Sequence, residues 1–237
     1  MKQFLILGVA LLVTTHSFGQ KRITPGDKRI ISQRVQNEHY AMLWSMVKGD
    51  TITELGKVLT EIKVLDEKVL FRNEIKRNGT NDKFVDSTIV SLPDMAPIYH
   101  FSDNAKREIV INYGENVEGY YIDKSKKEKL ILEGQYPSSF DSSMYPQLIR
   151  CLPLSQNYTA DLLIFNFDPE HITDVVNAYI KSTSAAVLNN VRVWDVTVKS
   201  DISDTQTHYY IDSKTYEILK IQVSMPNDTY MIMERIK

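Results

Sequence analysis

The chain has 237 residues and a formal net charge of −2 at pH 7; 43% of its residues are hydrophobic and 24% are charged. This composition is typical of a globular protein that buries a substantial core, and it excludes an intrinsically disordered chain. Basic and acidic residues are interspersed, whereas a nucleic-acid-binding surface needs a clustered basic face. We therefore expect no nucleic-acid partner.

Residues 1–19 have the layout of a secretory signal peptide. Lys2 provides a positive n-region, an apolar segment of about ten residues follows, and Ser17 and Gly19 place small residues at the two key positions of a cleavage site. The apolar segment is too short to span a bilayer, and no later segment is long enough to do so. The alternative for this stretch is a buried apolar helix or strand. We expect cleavage, which leaves residues 20–237 as an exported protein, periplasmic or extracellular, without a transmembrane segment.

The remaining sequence is patterned mostly as β-strands. The first alternating stretch has one apolar face, formed by Tyr40, Met42, Trp44 and Met46. This period-two pattern predicts a half-buried strand, although a helix over 32–47 is an alternative because that stretch contains neither Gly nor Pro. Alternation and turn residues predict further strands at 51–65, 69–76, 84–90, 107–113, 119–123, 129–133, 159–166, 191–200, 207–211, 218–225 and 230–236.

Two segments between these strands have a different pattern. Residues 144–151 are predicted to form a short helix, with Asp141 or Ser142 as its N-cap and Pro146 in its first turn. Residues 169–186 fit either a helix or a partly buried connection.

Serial antiparallel strands joined by short turns predict a single domain over residues 20–237. Its fold class is mainly β, a large curved antiparallel sheet that forms a half-barrel or an open barrel, with one or two short helices. The single cysteine, Cys151, lies among apolar residues, which predicts a buried thiol and excludes an intramolecular disulfide.

A series of short motifs, each present once, lies along most of the chain. They are DSTIVSL at 86–92, APIY at 96–99, VEGY at 117–120, SFDS at 139–142 and LPL at 152–154, followed by VWDV at 193–196, YYID at 209–212 and ILK at 218–220. Together they resemble the DUF3108 family of exported proteins, whose function is unassigned and whose members come from Gram-negative bacteria, here with a Bacteroidetes character. The resemblance implies a curved sheet akin to that of periplasmic lipoprotein carriers, which shield acyl chains. It implies no catalytic residues.

The sequence contains no motif of a known catalytic or metal site. Its histidines lack zinc-ligand spacing, and it has no nucleophile elbow, phosphate-binding glycine loop or paired cysteines. Asp168, Glu170 and His171 cluster in one short segment, where they fit a helix cap or a solvated loop better than a metal or acid–base site. We expect no cofactor, no metal and no enzymatic activity; an enzyme built on scattered carboxylates is the alternative.

Aromatic side chains on predicted strands are the candidate ligand-lining residues. These are Trp44, Phe71, Tyr120, Trp194 and Tyr210. If the sheet curls, they and nearby methionines line a trough for an acyl chain on its concave face; the alternative is that they form the core. We therefore expect a non-enzymatic envelope protein that binds an apolar or amphipathic ligand such as a lipid, or else a structural or protein-interaction module of the envelope.

Overall fold

A computed structural model describes residues 22–169 and 174–236. The predicted signal peptide lies outside the described residues, and so do Glu170 and His171 of the short acidic and histidine cluster.

The described residues form fifteen strands, one α-helix and one short 3-10 helix at Ser32–Arg34. The strands of the first half are β1 (Glu38–Lys48), β2 (Thr51–Leu65), β3 (Lys68–Arg77), β4 (Lys83–Ser91), β5 (Pro97–Asp103), β6 (Arg107–Tyr113), β7 (Val117–Asp123) and β8 (Glu128–Gly134). The second half contains β9 (Phe140–Asp141), α1 (Tyr145–Ile149), β10 (Ala160–Asn166), β11 (Asp174–Leu188), β12 (Val191–Ser200), β13 (Ser203–Asp212), β14 (Ile218–Met225) and β15 (Thr229–Ile236).

All fifteen strands belong to one open sheet, in which β1 and β15 are central neighbours. The order is β8-β7-β6-β5-β4-β3-β2-β1-β15-β14-β13-β12-β11-β10-β9. The chain runs outward from β1 to one edge at β8, crosses to the opposite edge, and returns to the centre. Neighbouring strands are antiparallel except for the short pair β9 and β10. The expected class, a large curved antiparallel sheet with one short α-helix, is confirmed.

The sheet rolls up so that its two ends overlap. Ile164 of β10 belongs to the main core together with Leu148 of α1, whereas the next residue, Phe165, belongs to a second cluster with Ile109 and Ile111 of β6. Successive side chains of a strand point to opposite faces. Strand β10 therefore lies between the interior of the roll and the overlapping strands β6–β8.

One half of the interior is filled by the chain itself. Leu148, Ile149 and Leu152 from α1 and its flank are fully buried, as is Ile23 from the N-terminal segment. The Cys151 thiol is also fully buried, and burial raises its pKa to about 12. The predicted buried cysteine is confirmed, and burial disfavours its thiolate, which is the reactive form.

The strand predicted through Tyr40, Met42, Trp44 and Met46 is confirmed, and the alternative helix over 32–47 does not form; nor does a helix form in the described part of 169–186. Residues 38–48 form strand β1, and only the 3-10 turn at Ser32–Arg34 is helical in the 32–47 stretch. The 169–186 segment contains most of strand β11, paired with both β10 and β12. Strand β11 adjoins both layers of the overlap: Val175 packs against the second cluster and Ala178 lies in the main core. Apolar residues on both faces hide the period-two pattern.

Two further features differ from the sequence prediction around α1 and β5. Asp141 and Ser142 do not cap α1: its N-cap is Met144, without a side-chain hydrogen bond, and Asp141 lies in β9. The predicted Pro146 in the first turn is confirmed. Strand β5 was not predicted, because it begins with a proline and its inward residues include polar side chains.

Candidate functional site

The structure separates the five predicted ligand-lining residues. Phe71 is 4% exposed and is part of the main core. Trp44 and Trp194 are half-buried and pack against that core from the inner face, but they lie on strands four positions apart in the sheet.

The two tyrosines lie on the outer face of the sheet. The Tyr120 hydroxyl donates a hydrogen bond to Glu108 at 2.8 Å, and the Lys129 ammonium lies 4.3 Å from its ring centre. The neighbouring residue on the same strand, Tyr121, faces the second core cluster instead. The Tyr210 ring stacks on His208 with centroids 6.4 Å apart. The predicted residues therefore do not form one site.

Trp44 lines an open pocket of about 310 Å3 at the end of the sheet that has the β1–β2 turn. Its apolar floor is formed by Trp44, Ile75 and Phe84, and its polar rim by Arg77, Asp82, Lys83, Asn104 and Lys106. The Arg77 guanidinium lies 5.5 Å from the Trp44 ring centre, a cation–π contact.

Strand register explains why this pocket stays open. Trp44 is opposite Gly56 of β2, so no side chain covers the indole from that strand. A Cβ atom at Gly56 would lie 2.0 Å from the backbone oxygen of Lys76, which leaves room for glycine alone.

Methionines extend the apolar surface across the centre of the sheet. Met233 is opposite Trp44, and Met231 is opposite Met46, which is 38% exposed. These side chains share the inner face of β1 and β15, at the end that α1 does not fill. We name this surface the Trp44 trough; it consists of Trp44, Met46, Ile75, Phe84, Met231 and Met233.

A second site lies where the two ends of the sheet overlap. Asp86, His100, Tyr113, Asp141 and Ser143 line a pocket of about 150 Å3 there, and the buried Thr88 hydroxyl lies 2.6 Å from Ser143 Oγ. We name this cluster the polar seam; it consists of Asp86, Thr88, His100, Tyr113, Asp141 and Ser143. Strands β4, β5 and β6 provide one side of it, and β9 with the residues that follow provides the other.

Asp141 is the centre of the polar seam and is 2% exposed. Its carboxylate accepts hydrogen bonds from the Tyr113 hydroxyl, from the Ser143 backbone N–H at 2.8 Å, and from the Thr88 hydroxyl at 3.3 Å. His100 Nδ1 lies 3.5 Å from the same carboxylate. Three strands of one end of the sheet are thus joined to the other end through one carboxylate.

Burial and the neighbouring charged groups have opposite effects on the pKa values of Asp141 and His100. Burial raises the pKa of Asp141, but the nearby His100 and the donated hydrogen bonds outweigh burial and lower it well below its ordinary range. Burial also raises the pKa of Asp86, to about 6. Burial lowers the pKa of His100, but Asp141 and Asp86 outweigh it, so that pKa is raised.

The seam contains the residue types of a hydrolytic triad in a different geometry. Ser143 Oγ lies 3.2 Å and Asp141 Oδ1 3.5 Å from the same ring nitrogen of His100, Nδ1. A proton relay requires the serine and the carboxylate at opposite nitrogens of the imidazole. This arrangement links the overlapping ends of the sheet and differs from the geometry of such a relay.

Sequence reasoning missed the seam because its residues are far apart in the chain. Asp86 and Thr88 both lie on the inner face of β4, opposite Ser102 and His100 of β5. The available signal was polar residues at inward positions of two neighbouring strands. It could not be recognised, because β5 was not predicted as a strand.

Within the ranges 22–169 and 174–236, no helix is long and apolar enough to cross a membrane. No group of three or more His, Cys, Asp or Glu side chains in those ranges is arranged to hold a metal ion.

Comparison with known proteins identifies the family and supports the fold. No curated protein matches the sequence. A crystal structure of a β-barrel-like protein of the domain of unknown function DUF1849, from Brucella abortus, is similar in fold, with a TM-score of 0.52 and 10% sequence identity over 91% of this chain and 97% of that chain. The model of DUF3108, a protein family of unknown function, matches residues 39–234. The chain therefore belongs to the DUF3108 family.

Proposed function

We propose that this protein is exported to the cell envelope and binds an amphipathic ligand, a single acyl chain with an anionic head group, in the Trp44 trough. The observation behind the proposal is the apolar floor of Trp44, Ile75 and Phe84 beneath a basic rim. Export is inferred from the signal-peptide pattern of residues 1–19.

The apolar floor fits the tail of such a ligand. Its volume of about 310 Å3 is at the small end of the range for ligand pockets. Each methylene group transferred from water to such a surface contributes about 0.8 kcal/mol. Methionines in the trough adapt their shape to an irregular chain. Because α1 fills the other half of the interior, one chain fits better than a lipid with several.

The rim fits an anionic head group. Arg77, Lys83 and Lys106 contribute three positive charges around the pocket, against one negative charge from Asp82. A carboxylate or phosphate at the rim accepts charge-assisted hydrogen bonds from these side chains, while its acyl chain lies on Trp44.

The two tryptophans of the chain allow a direct test on residues 20–237. The probe is 9,10-dibromostearate, whose bromine atoms quench an indole in contact. The W194F variant retains only Trp44, and we expect saturable quenching of its fluorescence. The W44F variant retains only Trp194, which lines a separate open pocket of about 320 Å3 with Ala185 and Val193 and without the three basic side chains that rim the trough; it is the matched control, in which we expect no quenching. Equal quenching of both variants, or of neither, would refute binding in the trough.

Two measurements on the native host complete the test. Lipid extraction of the purified protein followed by mass spectrometry should find an acyl compound with an anionic head group. Mass spectrometry of the intact protein from the periplasmic fraction should place its N-terminus at Gln20. A full-length cytoplasmic protein would refute export, and an extract without any amphiphile would refute the carrier role.

A second candidate function is an interaction module of the envelope. The filled half of the interior favours it, because a core closed by α1 behaves as a solid scaffold.

A further inference from the structure

The two edges of the sheet differ in length and exposure. Strand β9 has two residues, Phe140 and Asp141, and both are buried. Strand β8 has seven residues, and its Leu130 and Ile131 are 49% and 69% exposed. Proteins normally shorten or cover an open edge, because its unpaired backbone groups form a template for another strand. Among residues 22–169 and 174–236, the edge at β9 is protected in this way, whereas β8 pairs with β7 alone.

We propose that β8 pairs antiparallel with β8 of a second copy of this chain, about a two-fold axis at Ile131. The pairing is independent of ligand binding in the Trp44 trough. It is isologous, so each contact occurs twice.

The charges of β8 favour one register. In an antiparallel pair centred on Ile131, Lys129 is opposite the partner's Glu133, and the symmetric contact repeats this pairing. A parallel pair in register would place Lys129 opposite the partner's Lys129. Centring the antiparallel pair on Leu132 would place Lys129 opposite the partner's Gln135, and centring it on Leu130 would place Lys129 opposite the partner's Ile131 and leave only Lys127, outside the strand, opposite Glu133. Opposite charges directly across a strand pair stabilise it, and like charges destabilise it.

Within a single copy of the chain, the sheet places two negative charges opposite each other, and the proposed pairing reduces their repulsion. Glu133 is opposite Glu118 of β7 in the register of the sheet, and both side chains are exposed. The partner's Lys129 would lie on the other side of Glu133, in the adjacent strand. A positive charge there reduces the repulsion between the two glutamates.

The apolar residues of β8 match in the same register. Leu132 is 7% exposed and belongs to the second core cluster, whereas Leu130 on the same face is half exposed. The pairing places Leu130 opposite the partner's Leu132, which extends the second cluster across the axis. On the opposite face, Ile131 meets the partner's Ile131.

The oligomeric state of residues 20–237 tests the proposal. Sedimentation equilibrium over a range of concentrations should detect a dimer. I131K places two like charges at the axis and should abolish dimerisation. The matched control is I52K, which alters another exposed isoleucine, 72% exposed on β2, and should not affect it. Circular dichroism confirms that each variant is folded.

A charge swap distinguishes this register from any other dimer. K129E and E133K, each alone, should weaken the dimer about tenfold, since each creates two like-charge pairs. The double variant K129E/E133K restores opposite charges and should restore the affinity. A monomer at every concentration, a dimer insensitive to I131K, or a double variant no better than the single ones would overturn the proposal.

Discussion

The Trp44 trough and the polar seam lie on the same inner face of one sheet, and they reverse the usual relation between burial and polarity. They adjoin on β4, where Phe84 lines the trough and Asp86, two residues later, lines the seam. The seam is covered and polar, whereas the trough is open and apolar. Exposed apolar surface is costly and commonly marks a binding site. A buried polar cluster with satisfied hydrogen bonds commonly fixes one arrangement of the chain.

Under the proposed function, the seam stabilises the fold and the trough binds the ligand. Substitutions in the seam should unfold the protein without a specific effect on ligands. Substitutions in the trough should affect ligands with little effect on folding.

The largest expected effect is that of D141N. At pH 5, below the raised pKa of His100, removing this charge leaves the imidazolium without its main buried partner, and breaking a buried ion pair costs about 3–5 kcal/mol. Urea unfolding followed by circular dichroism should show a lower free energy of unfolding by that amount. The control D50N alters an exposed aspartate and should leave stability nearly unchanged. A loss below about 1 kcal/mol for D141N would mean that the seam does not hold the overlap together.

A smaller effect is expected from pH. The raised pKa of His100 means that its contribution to stability is present below its ordinary pKa and is lost as pH rises through the raised value. The pKa of Asp86 is raised to about 6, so its folded form binds a proton that the unfolded form has released, and stability again falls as pH rises toward and through 6. The lowered pKa of Asp141 has the opposite effect on stability, and it does so only in acid solution. There, stability is lost as pH falls below the ordinary pKa of an aspartate.

The seam should therefore contribute most to stability in mildly acidic solution and less at pH 8. The groups that face His100 are Asp86, Asp141 and the more distant Arg107, which opposes its protonation. Free energies of unfolding at pH 5 and pH 8 should differ less in the D86N/H100Q double variant than in the wild type. H39Q alters an exposed histidine and is the control, expected to follow the wild type. Parallel behaviour of the double variant and the wild type would contradict a titrating seam.

The sequence predicted part of the trough but not the seam, and the difference has a physical reason. Strand alternation found Trp44 and the inner face of β1, because a half-exposed apolar face retains a clean period of two. The seam depends on contacts between β4–β6 and β9, so His100 and Asp141, which are 41 residues apart in the sequence, meet only after the sheet has rolled up. The same overlap surrounds part of β11 with apolar neighbours, so the pattern of residues 169–186 fits a helix or a partly buried connection as well as a strand.

The smallest effect on stability is expected at the rim of the trough, where K83Q and K106Q should each change the free energy of unfolding by less than about 0.5 kcal/mol. Both lysines border the pocket at Phe84 and Trp44, where a head group would lie. We expect each substitution to weaken the affinity for stearate about 1.4- to fivefold, because an exposed ion pair contributes about 0.2–1 kcal/mol. The matched control is K57Q, which removes an exposed charge from β2 outside the pocket. Methyl stearate has the same tail without the charge, so its affinity should be unaffected by all three substitutions. If stearate and methyl stearate respond equally, the rim does not bind the head group, and the ligand of the trough is apolar instead of amphipathic.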